Sequence, residues 1–397
     1  MPTQPVLVSD LDPFSREFLD DPYPAHAALR DAGPVVRLAR YDIWATARHE
    51  PVHTALLDPE AFCSAAGVGI SDFRKEEPWR PPSLLLEADP PEHTRARRVV
   101  NGVLSAAAIR RLTEAFTGAA DELVAKLAHG GVIDGMAELA RVYPLQVFSD
   151  AVGLPAEGRE KLLVYGNMVF NTFGPRNELF TAAVADAGPI RDWIMQHCEA
   201  EHLAPGGMGA QIHERAAQEG FTPAEAAMLV RSFLSAGVDT TVHGLGNALL
   251  CLAAHPGQYD VLRAGPDRAR AAFEEVLRFE APVQTFFRTT TREVDLDGVA
   301  IPAGEKVLLF LGAANRDPRH WDDPDIFDID RRATGHVGFG FGIHACVGMA
   351  MARLEGEAVL SALARRVARI EPAGTPERMH NNTLRGLASL PLRLIPS

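Results

Sequence analysis

Phe339-Gly340-Phe341-Gly342-Ile343-His344-Ala345-Cys346-Val347-Gly348 is the stretch on which the fold turns. Three glycines within ten residues let the backbone come close to something bulky, because a residue without Cβ adopts turn conformations closed to others. A strongly helical pattern follows, from about Val347 to Ile370, so Cys346 stands at a helix N-terminus. There the helix dipole and free N–H groups favour a thiolate, which predicts a lowered thiol pKa and either a nucleophile or a metal ligand. Most lone cysteines beside a Gly-rich turn are inert and buried, so the surrounding pattern has to decide.

That pattern is FxxGxxxCxG, and it resembles the haem-binding loop of the cytochrome P450 family. The resemblance implies a mainly α fold with small antiparallel β-sheets. It implies haem b between a long distal helix and the cysteine-bearing loop and helix, with Cys346 as the axial thiolate on iron. Phe339, Gly340 and Gly348, with Ala236 from the distal side, are then contacts of the cofactor. Phe341 and Ala345 fill variable positions of the loop, and Phe341 bears on the surface offered to an electron donor.

The distal helix has its own signals. Thr222-Pro223-Ala224-Glu225 reads as a capping box with proline at the first helical position, and the pattern persists to about Ala254, before Pro256. About 30 residues at 1.5 Å rise give roughly 45 Å, enough to cross a domain. Ser232, Ser235, Ala236, Asp239 and Thr240 fall on one small, hydroxylic stripe. Ala236-Gly237-Val238-Asp239-Thr240-Thr241 puts glycine and β-branched residues mid-helix, at a cost of about 1 kcal/mol or more against alanine. The Thr240 hydroxyl is spaced to take the Ala236 carbonyl and open the helix there. The segment looks like the family's oxygen-binding motif, which implies that Thr240 hydrogen-bonds dioxygen and Asp239 relays protons.

Glu275-Val276-Leu277-Arg278 is an ExxR pair, by itself no more than the spacing of an ordinary surface ion pair. In its order along the chain it resembles the family's buried pair beneath the thiolate, with Arg331 as third partner. By the same resemblance His93, Arg97, Arg288 and His344 supply the cations for the two haem propionates. His93 and Arg97 stand four apart on one helical face.

The likeness covers the whole chain and extends to a bacterial subgroup that oxidises para-substituted benzoic acids. Trp79-Arg80-Pro81-Pro82-Ser83, Phe170-Asn171-Thr172-Phe173, Arg231-Ser232-Phe233-Leu234-Ser235 and Pro282-Val283-Gln284-Thr285-Phe286 carry it. The resemblance implies a carboxylate held by Ser83, Ser232 and Ser235 with Arg80 and Arg231. Leu86, Phe170, Phe173, Val283 and Phe286 would form an apolar slot for a flat ring. The expected reaction is hydroxylation or oxidative O-demethylation. The same chemistry on another small aromatic acid such as a cinnamate stays open, as do a haem-thiolate sensor and a cysteine hydrolase using Cys346.

The bulk composition narrows the rest. The chain has 397 residues, 47% hydrophobic and 23% charged, which suits a globular protein. Its 39 basic against 52 acidic residues leave a net charge of -13, the wrong sign for gripping a phosphate backbone. The acidic, Pro-containing start lacks the basic and apolar run of an export signal, and the longest apolar stretches, such as Val307 to Ala314, are too short to span a membrane. Cys63, Cys198, Cys251 and Cys346 lie too far apart for a CxxC pair, so cytoplasm and reduced thiols are expected. The β-branched texture of Val283 to Leu311, broken by Asp297-Gly298 and Pro302-Ala303-Gly304, predicts short strands, and further strands are expected at Val35 to Ala47 and Leu390 to Ile395. No linker breaks the chain, so residues 1–397 are read as one domain. No flavin or iron–sulfur segment is visible. Electrons are therefore expected from an iron–sulfur ferredoxin with an NAD(P)H-dependent reductase, and O2 is the co-substrate.

Overall fold

A computed structural model describes residues 6–397, so the five N-terminal residues of the acidic start lie outside it. Helices form about 50% of the molecule, accompanied by small sheets. The capping box is present as expected: Thr222 Oγ1 accepts from Glu225 N, while the Glu225 carboxylate accepts from Thr222 N. The long helix is not continuous, however. It runs as Pro223–Ala236 and Asp239–Ala254, interrupted at Gly237 and Val238. A Cβ on Gly237 would lie 2.2 Å from the Phe148 ring, so the close approach of Phe148 requires glycine there.

The helix after Cys346 spans Met349–Arg366 and stops four residues before the expected Ile370. Val367 turns extended, and Val367–Pro372 pairs antiparallel with Pro391–Pro396, Ile370 opposite Leu394. Sheet pairing with a distant segment thus overrides the local helical pattern. The strand expected from Val35 to Ala47 is a short hairpin, Val36–Leu38 with Ile43–Thr46.

In the largest sheet, strands are ordered Leu7–Ser9, Val36–Leu38, Ile43–Thr46, Lys306–Phe310, Thr285–Thr290, Phe62–Cys63. Three of its pairings are antiparallel, while Leu7–Ser9 with Val36–Leu38 and Ile43–Thr46 with Lys306–Phe310 run parallel. The Val294–Leu296 and Val299–Ile301 hairpin turns through Asp297 at φ 55° and Gly298 at φ 84°, the two left-handed residues that match strand twist.

The main apolar core joins the distal helix pair to Ala269–Phe279 and Met349–Arg366. Gly356 lets the Phe273 ring lie directly on the Met349–Arg366 helix, where a Cβ would come within 2.3 Å. Inside this packing the ExxR pair is fully buried. Arg278 donates to both oxygens of Glu275, at 2.7 and 2.8 Å, and to the carbonyls of Asn315, Pro324 and Ile326. Arg331 adds a 3.3 Å contact to Glu275. The cluster ties the Ala269–Phe279 helix to the segment leading into the cysteine loop.

Candidate active site

One large cavity, about 1400 Å³ including its open mouth, is lined on one side by the Cys346 loop and on the other by the distal helix pair. The loop is shaped by backbone bonds and two left-handed glycines. Cys346 N donates to Phe339 O at 2.8 Å, and Gly340 and Gly342 sit at φ 68° and 69°. A Cβ on Gly342 would lie 2.5 Å from Leu56 O.

Cys346 presents its side chain to the cavity, together with Phe339, Gly340 and His344, while Gly348 lies behind it. Its thiol pKa is raised, not lowered as expected from helix position. The side chain is accessible from the cavity, but desolvation by the surrounding protein is the largest cause, and the Gly348 N–H and the Arg97 and Arg353 charges oppose it. The helix begins only at Met349, so the cysteine stands short of the first turn where the dipole acts. A thiol of this kind becomes a thiolate when a metal replaces its proton. No hydrogen bond joins His344 to Cys346 among the described residues, so the nucleophile and base pair of a cysteine hydrolase is not formed.

On the distal side Ser232, Ser235, Ala236 and Thr240 line the cavity, as does Thr241, which the stripe did not include. Thr240 Oγ1 donates to Ala236 O at 3.0 Å, the expected local opening. Asp239 departs from the expected stripe. The break at Gly237 and Val238 resets the phase, and its carboxyl turns toward Gly166, where a Cβ would lie 3.1 Å from Oδ2. Burial raises Asp239 to about 7.

Four cationic or imidazole groups gather at the cavity's edge. Arg97, Arg288 and His344 line it, and His93 packs on His344 with ring centroids 4.2 Å apart. Arg288 is buried and donates to Phe287 O but has no carboxylate partner among the described residues, and burial lowers its pKa to about 10. Arg97 donates only to Asn101. Both ring nitrogens of His93 and Nε2 of His344 find no hydrogen-bond partner in the protein, and burial lowers His93 to about 4. Such a cluster of unpaired donors with a nearby thiol fits a planar group bearing two carboxylates and a metal. One neighbour was not foreseen. Asp89 lies 3.9 Å from His344 and accepts from Ser64 N and Ala65 N, which fixes the loop.

Phe170, Phe173, Leu86, Val283 and Phe286 line the same cavity. Phe170 and Phe173 meet edge to face at 5.7 Å and 89°, and Phe173 and Phe286 are also 5.7 Å apart. In the same lining Ser83 Oγ and Ser232 Oγ stand 2.7 Å apart. Ser83 Oγ also accepts from Leu85 N and Leu86 N, whereas Ser232 donates to Met228 O and Ser235 to Ser232 O. The two arginines need correction. Arg80 faces the cavity but is paired with Glu87 through two bonds of 2.9 and 3.1 Å. Arg231 does not reach the lining; it donates to Pro81 O and Pro82 O behind the serines. Glu87 escaped sequence reasoning because an ion pair closed within an irregular loop leaves no periodic trace.

Residues 207–395 match the family model for Cytochrome P450. Cytochrome p450 CYP199A2 of Rhodopseudomonas palustris is 57% identical over 98% of this chain and 94% of its own length. The chain belongs to the cytochrome P450 family. The P450 is also 34% identical to the Vitamin D(3) 25-hydroxylase of Pseudonocardia autotrophica, over 97% of this chain and 96% of that one. Its fold matches that of cytochrome P450 CREJ in complex with (4-ethylphenyl) dihydrogen phosphate, with a TM-score of 0.86 and 26% identity over 96% and 98% of the two chains. As a P450 it is a haem monooxygenase that uses haem b with a cysteine thiolate on iron, O2 and redox partners. Among the described residues, no helix of this P450 is long and apolar enough to cross a membrane.

Proposed function

We propose that this P450 oxidises the para substituent of small benzoic acids, by hydroxylation or O-demethylation, with Cys346 as the iron ligand. The observation that carries this reading is one cavity whose lining joins Cys346, Phe170, Phe173 and Phe286 and a pair of serine hydroxyls. Bound haem b supplies dioxygen activation and insertion of one oxygen atom into a C–H bond. Arg97, Arg288, His93 and His344 hold its two carboxylates. Phe170, Phe173 and Phe286 clamp a flat ring, so that an acid group anchored at the serines turns the para position toward the cysteine end.

The serines do not act alone on charge. Arg80 is paired with Glu87, whereas Arg231 is 2% exposed with no acidic partner among the described residues. The surplus positive charge lies just behind the hydroxyls, where low dielectric makes it felt by an incoming anion. The fold neighbour that binds (4-ethylphenyl) dihydrogen phosphate, a para-substituted ring with an acidic group, supports the same choice of ligand chemistry. The electron donor we propose is an iron–sulfur ferredoxin served by an NAD(P)H-dependent reductase, in the cytoplasm.

Titration of the haem spin state tests the anchor. 4-Methoxybenzoate is expected to bind tenfold to over a hundredfold more tightly than its methyl ester, because losing a charge-assisted hydrogen bond costs about 1.5 to 3 kcal/mol. Ser83→Ala with Ser232→Ala weakens the acid and leaves the ester unchanged. Equal binding of acid and ester would overturn the aromatic-acid reading.

Thr240, with its proton on the Ala236 carbonyl, turns oxygen lone pairs to the cavity and manages hydrogen bonding to the small oxygen ligand. Asp239 behind it carries protons. Thr240→Ala is expected to keep the substrate-induced spin shift while product formed per NADH falls several-fold and peroxide rises. Measuring both products in one assay checks this, and unchanged coupling would exclude Thr240.

A further inference from the structure

Asp239 and His243 stand one turn apart on the Asp239–Ala254 helix, so their side chains leave the same face. The helix packs against, among others, the helix Lys161–Asn171, the π-helical turn Gly135–Ala140 and the strand Gly386–Ser389, and also against Ala269–Phe279 and Met349–Arg366. Neither residue lines the cavity. Glycines stand where the two side chains arrive: a Cβ on Gly166 would lie 2.8 Å from Asp239 Cβ, and a Cβ on Gly386 would lie 2.0 Å from His243 Nδ1. Both residues are buried, yet Asp239 Oδ2 and both ring nitrogens of His243 have no hydrogen-bond partner in the protein. Three bare polar atoms on neighbouring side chains are a combination that packing alone gives no reason to keep.

The charges around them are few. Arg141, at the end of the π-helical turn, acts on both groups, and its guanidinium is tied to Ala388 O at 2.9 Å, two residues beyond Gly386. The Gly386–Ser389 strand brings no titratable side chain, and the helix behind Asp239 presents Gly166. Burial, with Arg141, keeps His243 down at about 4, so the imidazole is neutral at physiological pH, with one donor and one acceptor nitrogen. One turn away on the same helix stands the Asp239 carboxyl, which burial raises to about 7.

We propose that His243 is a positioning residue for Asp239: its ring N–H hydrogen-bonds the Asp239 carboxylate through one bridging water and ties it to the Arg141 edge where its proton is replaced. The inference rests on the reading of Asp239 as proton carrier. The balance is simple. Asp239 gives a proton toward Thr240 and the cavity, the resulting carboxylate is held through that water by the His243 N–H, and a solvent proton arriving beside Arg141 restores the acid. His243 stays neutral throughout, donating and accepting but never carrying a second proton.

The test uses the ferric and the turning-over holoenzyme in His243→Leu, His243→Asn and Asp239→Asn. The carboxyl infrared band that disappears in Asp239→Asn is followed against pH. A hydrogen bond to the carboxylate lowers its pKa, so its loss in His243→Leu is expected to move the midpoint up by about one unit. Asparagine, smaller than imidazole and still a donor, is expected to restore the parental midpoint. Product formation falls about tenfold in His243→Leu, as for one lost hydrogen bond, and recovers most of that in His243→Asn, with the substrate-induced spin shift unchanged in both. A parental midpoint and rate in His243→Leu, alongside a slow Asp239→Asn, would overturn the pairing and leave Asp239 in its role. A parental rate in Asp239→Asn would overturn the proton-carrier reading itself, and this proposal with it.

Discussion

Cys346→Ser is expected to abolish the thiolate-type carbon monoxide spectrum of the reduced protein and to drop monooxygenation to the assay background. A serine hydroxyl holds its proton far more strongly than a thiol, so it cannot become the anionic donor that iron needs for oxygen–oxygen cleavage. The position itself leaves no substitute nearby. Cys63 is half-buried and Cys198 and Cys251 are buried, and none of the three lines the cavity. Burial pushes the Cys198 thiol up to about 12 and the Cys251 thiol well above its ordinary value. Alanine at each of these three positions is therefore expected to leave the spectrum intact. A retained thiolate spectrum in Cys346→Ser, or its loss in one of the other three, would reassign the ligand.

Arg278→Leu is expected to cost about 3–5 kcal/mol of stability, the scale for removing one partner of a buried ion pair. Set against the roughly 5–15 kcal/mol that holds a folded domain, this is a large share. Leucine fills part of the space but leaves Glu275, which is wholly buried, with only the longer Arg331 contact and the Asp328 N–H, and frees the carbonyls of Asn315 and Pro324 at once. Lysine is not a remedy, since a point-like ammonium cannot span both Glu275 oxygens and three carbonyls. Those carbonyls belong to the segment that leads into the cysteine loop, so haem retention is expected to fall with the melting temperature. Arg331→Ala removes a longer, partly exposed contact to Glu275 and is expected to cost less than half as much. Thermal melts and the haem-to-protein absorbance ratio of the three proteins measure this. Equal melting of parent and Arg278→Leu would show the pair to be dispensable.

The Gly-rich loop, the ExxR spacing, the capping box and the threonine at Ala236 plus four were all legible in the chain, and so was the family. These are local signals. Each depends on residues within one or two turns of each other, where backbone geometry alone fixes what meets what. The interruption at Gly237 and Val238 was only half legible: Thr240 could be paired with the Ala236 carbonyl on spacing, but not the direction in which Asp239 then points. That direction follows from Phe148 pressing on Gly237 and from Gly166 making room, contacts between segments far apart in sequence.

The arginines show the same limit more sharply. Arg80 and Arg231 looked equivalent as cations for an acid, but Glu87 neutralises the first and two proline carbonyls hold the second out of the cavity. Likewise the helical pattern past Arg366 gives way to a strand because Pro391–Pro396 arrives to pair with it. Sequence by itself determined the class of protein, the loop that bears Cys346 and the residues that gather around one cavity. Tertiary structure decided which of those side chains are free to act, because an ion pair, a rotamer or a pKa is set by whatever distant segment is packed against it.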